Sequence, residues 1–85
     1  MPSSMHTNRY QIFRELLVEA RETCGKTQVE VAKLLRKPQS FVSKYERGER
    51  RLDFTEFIEI AQVLGIDVNS FVDAYRSAAL PAKRR

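Results

Sequence analysis

Apolar residues in this chain recur at spacings of three and four rather than two, which is the period of a helix buried along one face. From Arg9 to Cys24 the stripe is Ile12, Phe13, Leu16, Leu17, Ala20 and Cys24. Thr7 or Asn8 can cap its start, and Gly25 can end it in a left-handed conformation. Thr27 with Glu30 three residues on is a capping box, opening a second helix that can bury Val31, Ala32, Leu34 and Leu35. That helix must end before Pro38, because proline disfavours helical geometry in the residue preceding it. Pro38 itself suits the first turn of a third helix, where its missing N–H costs nothing. There Val42 and Tyr45 point inward, and Gln39, Ser40, Ser43, Lys44 and Arg47 share the outer face.

Gly48 stops the third helix, and Glu49 to Leu52 form a charged connector. Asp53 and Glu56 make a second capping box for a fourth helix ending at Leu64 and Gly65. Its expected inward stripe is Phe54, Phe57, Ile58, Ala61 and Leu64. Asp67 can cap a fifth helix of one to two turns past Asn69, with Val68, Phe71, Val72 and Tyr75 apolar. Five short helices with short connections, no convincing strand pattern and no internal repeat predict an all-α, five-helix bundle. The expected organisation is a flexible arm at 1–8, a folded domain at 9–76 and a flexible basic tail at 77–85 that ends in Lys83-Arg84-Arg85.

With 85 residues, 42% of them hydrophobic, the chain can fill one compact core and little more. No stretch is long and apolar enough to span a membrane, and Met1 to His6 lack the order of a secretory signal. The lone cysteine, Cys24, excludes an internal disulfide and fits a reducing cytoplasm; its place on the apolar stripe makes it an expected core residue.

Charge changes the picture more by its placement than by its total. Between residues 26 and 51, Lys26, Lys33, Arg36, Lys37, Lys44, Arg47, Arg50 and Arg51 outweigh Glu30, Glu46 and Glu49, a local balance of +5. Between 52 and 75, Asp53, Glu56, Glu59, Asp67 and Asp73 meet no base, a balance of −5. Positive charge is thus gathered on the second and third helices, as in a polyanion binder.

The outer face of the third helix supplies matching chemistry. Glutamine can bond adenine bidentately, lysine can bond guanine, and serine suits several base edges. On a helical repeat Gln39 with Ser43 and Ser40 with Lys44 form two adjacent rows, the expected base-reading set. Gln28, at the start of the second helix, lies where backbone N–H groups favour a phosphate. Lys37, Arg47 and Arg50, with Arg51 beside it, flank the same face as further phosphate contacts. Phe41 reads either as a packing residue or as a contact for a thymine methyl. Phe71 and Tyr75 read either as a dimer surface or as the last core residues.

The segment Gln28, Ala32, Val42, Tyr45 and Glu46-Arg47-Gly48, continued by Ile60 to Ile66, resembles the phage Cro and repressor-type helix-turn-helix domains, the XRE family. The resemblance covers roughly Phe13 to Val72 and implies a lambda-repressor-like fold. It implies that residues matching Gln39, Ser40, Ser43 and Lys44 face base edges and that those matching Gln28 and Arg47 hold phosphates. It also implies an Arg21–Glu46 pair tying the first helix to the end of the third, and a two-fold dimer with recognition helices about 34 Å apart. Two positions depart from the pattern. Arg36 stands where the turn usually has glycine, and Pro38 replaces the usual serine or threonine cap.

These features predict a sequence-specific transcriptional regulator acting on double-stranded DNA, a homodimeric repressor of a palindromic operator. No histidine–carboxylate pair, metal-ligand cluster or glycine-rich phosphate loop points to an enzyme, a metal or a cofactor. The rival readings are a module that mainly binds a regulatory protein partner, as some antitoxins do, and a controller of restriction–modification genes. A partner-binding module calls for a sizeable exposed apolar patch.

Overall fold

The computed structural model describes residues 4–80, with side chains from Arg9 onward. Five helices follow one another: α1 (Ser4–Thr23), α2 (Gln28–Leu35), α3 (Gln39–Arg47), α4 (Phe54–Leu64) and α5 (Val68–Ala79). α2 packs on α3 and α4, while α1 lies across α3 and α5. Their shared core is built from Leu17, Val31, Val42, Tyr45, Ile60 and Leu64, with Phe13 and Phe71 packed against it.

Both capping boxes form. Thr27 accepts from the Glu30 N–H at 3.1 Å while the Glu30 carboxylate accepts from the Thr27 N–H at 2.8 Å. Asp53 and Glu56 repeat the exchange at 2.8 and 3.0 Å. Each box satisfies two N–H groups that a helix start otherwise leaves unpaired. Asp67 stands at the N-cap of α5 but makes no capping bond; its carboxylate accepts from the Ser70 hydroxyl instead.

Several expectations are corrected. α1 begins at Ser4, so Thr7 and Asn8 lie inside the helix rather than capping it, and the segment expected as an arm is helical from that point. α5 runs to Ala79, which is buried, so the helix continues past the expected domain end at 76. The expectations for Lys83, Arg84 and Arg85 lie outside the described residues. Cys24 is exposed, not core: α1 ends at Thr23 and the chain turns away at Gly25. Leu34 is 56% exposed, because α2 presents Val31, Ala32 and Leu35 inward and Leu34 falls outside that arc. Phe54 is 74% exposed, since it opens α4 at an end that no neighbouring helix covers. Ile60, which was not in the expected stripe, is fully buried in the core. No helix of the described residues is long and apolar enough to cross a membrane.

Candidate nucleic-acid interface

The turn between α2 and α3 closes on backbone hydrogen bonds. The Lys37 N–H donates to the Ala32 carbonyl at 2.9 Å and the Arg36 N–H to the Lys33 carbonyl at 3.1 Å. This double bond, the usual way a helix ends in a left-handed residue, recurs after α1, α3 and α4, where glycine takes the left-handed position. After α2 that residue is Arg36, at φ 61°. Pro38 is the N-cap of α3 rather than its first turn, with no side-chain capping bond. Its fixed φ of −67° sets the direction in which α3 departs.

α3 buries Phe41, Val42, Tyr45 and Glu46 and leaves Gln39, Ser40 and Lys44 exposed, with Ser43 half-buried. Phe41 is a packing residue, its ring set edge-on to Tyr45 at 5.5 Å between centroids. The Tyr45 hydroxyl is buried without a hydrogen-bond partner among the described residues, and burial pushes its phenol pKa up.

A buried carboxylate organises the base of this face. Glu46, its side chain 6% exposed, accepts from Arg21 through Nε at 2.7 Å and Nη2 at 3.1 Å. The same carboxylate accepts from the Gln28 amide at 2.8 Å. Gln28 in turn accepts from the Gln39 amide at 3.1 Å. Since a carboxylate only accepts and a guanidinium only donates, the bonds converge on Glu46: Arg21 donates from one side, and Gln39 donates to Gln28, which donates to Glu46, from the other. The Glu46 hydrogen bond raises the pKa of Arg21, which also donates to the Lys26 carbonyl at 2.9 Å.

Sequence reasoning placed Arg21 beside Glu46 but missed two members of this structure. It did not see that Glu46 also holds Gln28, a contact set by how α2 lies on α3. It also missed Arg14, whose Nη1 donates to the Glu46 carbonyl at 2.7 Å and so covers the end of α3. A Cβ added at Gly48 would meet the Arg14 Nε at 2.9 Å. The one available signal was spacing, because Arg14 and Arg21 lie two turns apart on the same face of α1.

The cations around the face are engaged to different degrees. Lys37 lies over the Phe41 ring at 5.2 Å and Arg50 over the same ring at 4.8 Å. Arg50 also forms a two-armed pair with Glu56 at 2.9 and 2.8 Å. Arg47 pairs with Glu49 at 3.0 Å and donates to Ser43. Hydrogen bonds to these arginines hold the Glu49 and Glu56 carboxyls below the usual carboxylate range and raise the arginines. Exposed pairs of this kind are screened by solvent and contribute little, so either arginine can be recruited by a phosphate. Arg51 is turned away, stacked 4.2 Å over Tyr10.

Phe71, one of the two residues with an open reading, packs against Phe57 at 5.1 Å and Phe13 at 5.9 Å in its own chain. Tyr75 is half-buried, and Val72 and Leu80 are the exposed large apolar residues at this end of the molecule. No group of three or more histidine, cysteine or acidic residues among the described residues could hold a metal ion.

Comparison with known proteins agrees with this geometry. The profile of a family described as helix-turn-helix matches residues 17–71. A solved structure described as an XRE-family like protein from Pseudomonas syringae pv. tomato str. DC3000 is 43% identical, with a TM-score of 0.83. The match covers 88% of this chain and 92% of that one. No curated protein sequence matches the chain at a significant level.

Proposed function

The chain belongs to the XRE-type helix-turn-helix family of DNA-binding regulators, and from that premise we propose that it is a homodimeric repressor reading a palindromic operator. α3 enters the major groove with Gln39, Ser40, Ser43 and Lys44 toward the base edges. Gln28, Lys37, Arg47 and Arg50 take the flanking phosphates, which fixes the register of the helix on the duplex. Two copies pair at the α5 end through Val72, Tyr75 and Leu80, with Phe71 supporting them from within. Occupancy of the operator then blocks access by RNA polymerase.

The observation that carries this reading is the hydrogen-bond chain that runs from Gln39 through Gln28 to Glu46. An exposed glutamine ordinarily rotates freely, whereas this one has one amide hydrogen committed to Gln28. It retains a carbonyl and one N–H side by side, the pair that bonds adenine bidentately. The test is selection of bound duplexes from a random library at fixed salt, followed by competition with Gln39→Ala and Lys44→Ala. A recovered palindrome, with each variant losing about 1–3 kcal/mol at the cognate site and relaxing one base preference, supports the reading. Equal affinity for all duplexes overturns it. Sedimentation of Tyr75→Asp tests the pairing surface: a shift to monomer is expected, and an unchanged dimer places the interface elsewhere.

A further inference from the structure

A groove of about 410 Å³ opens between α1, α4 and α5. Its floor is aromatic: Phe13, Phe57 and Phe71 lie within 5.1 to 5.9 Å of one another, with Tyr10 stacked on Phe13 at 5.4 Å. Two guanidiniums line it, Arg9 and Arg51, and no carboxylate does. The Arg9 Nε is buried and has no hydrogen-bond partner among the described residues. Neither arginine is in an ion pair among those residues, and every aspartate and glutamate of the sequence falls between residues 15 and 73, within them.

A buried N–H without an acceptor is a standing cost that an acceptor oxygen removes. A planar guanidinium matches a carboxylate through two parallel bonds, and an aromatic floor takes a flat apolar body. The volume falls in the range of small-molecule sites. We propose that this groove binds a small amphipathic carboxylate, its ring on Phe13, Phe57 and Phe71 and its oxygens on Arg9 and Arg51. The site shares no residue with the α3 face, so a failure of the DNA-binding reading leaves it standing; it shares Phe71, Val72 and Tyr75 with the pairing surface proposed above, so the ligand and a second copy compete for it.

The experiment is titration of the full chain, isotope-labelled and without DNA, with naphthoate and with its neutral alcohol, naphthalenemethanol, followed by NMR. Naphthoate is expected to give saturable shifts confined to the groove, with the alcohol about tenfold weaker. Arg9→Met and Arg51→Met should each weaken naphthoate several-fold while leaving the alcohol unchanged. Arg9→Lys, which keeps the charge but loses the fork, should fall between. Equal affinity for acid and alcohol, or shifts scattered over the surface, overturns the proposal. Sedimentation with and without saturating naphthoate separates the competing occupant: a dimer that gives way to ligand-bound monomer is expected, and a dimer that persists with the groove signals unmoved assigns the groove to a second copy and likewise overturns the proposal.

Discussion

Replacing Glu46 by glutamine changes one atom type in the buried network and should cost stability while leaving intact the base preference at Gln39, which Glu46 reaches only through Gln28. In the native chain the carboxylate accepts twice from Arg21 and once from Gln28. Its Oε1 accepts from both Arg21 Nη2 and Gln28, and its Oε2 from Arg21 Nε alone. In Glu46→Gln the carbonyl keeps two of these three bonds only at the Oε1 position, so the new NH2 faces the Arg21 Nε, donor against donor. Gln28 keeps its acceptor there, and Gln39 keeps the edge it offers.

Two magnitudes follow. Losing charge-assisted bonds at a site with side chains 6% and 14% exposed costs about 2 kcal/mol. For a chain of 85 residues that lowers Tm by roughly 8–16 °C. At the base pair facing Gln39, a reversed amide would instead remove about 1–3 kcal/mol of discrimination, or roughly 5–150-fold, which sets the scale against which an unchanged preference is read. The assay is fluorescence anisotropy on the selected operator and its three substitutions at the position that Gln39→Ala relaxes. Folded Glu46→Gln should keep the native preference there within about twofold; a larger change means that Gln28 has lost its acceptor, and the reasoning fails.

Four further outcomes are expected. Arg47→Ala should weaken binding to every duplex and reduce the salt slope by about one unit; an unaltered slope removes Arg47 from the interface. Arg36→Gly relieves a side chain held at φ 61° and should raise Tm by several degrees, against a gain of about 1 kcal/mol or less after glycine's own entropy cost; a lower Tm in thermal denaturation refutes it. Tyr45→Phe removes a buried hydroxyl without a partner and should leave stability equal or higher, which chemical denaturation reads directly. Because the Glu56 carboxyl is held below its usual range by Arg50, the bridge's contribution is fully present above that range and is lost as pH falls through the lowered value. An NMR pH titration should therefore show Glu56 protonating below an ordinary glutamate, and Arg50→Ala should return it upward.

Local chemistry was legible where the signal is local. The capping boxes at Thr27 and Asp53, the left-handed Arg36 and the outward set on α3 all depend on residues within a few positions of each other. Periodicity was weaker at the margins. It could not tell that Phe54 hangs outside the core while Ile60 fills it, because both fit a helical stripe and only the neighbouring helices choose the arc. Cys24 failed for a related reason: the stripe reaches it, but α1 stops one residue short.

The order of charged, capping and apolar residues determined by itself that there are five helices, where four of them end, and which side chains α3 turns outward, since each follows from spacing along one chain segment. Tertiary structure alone decided that Glu46 would hold Arg21 and Gln28 together, that Arg14 would cover the end of α3, and that two arginines would line an aromatic groove. Those partners are brought in from separate helices, and the angle at which helices cross is fixed by packing of the whole core rather than by any local run of sequence.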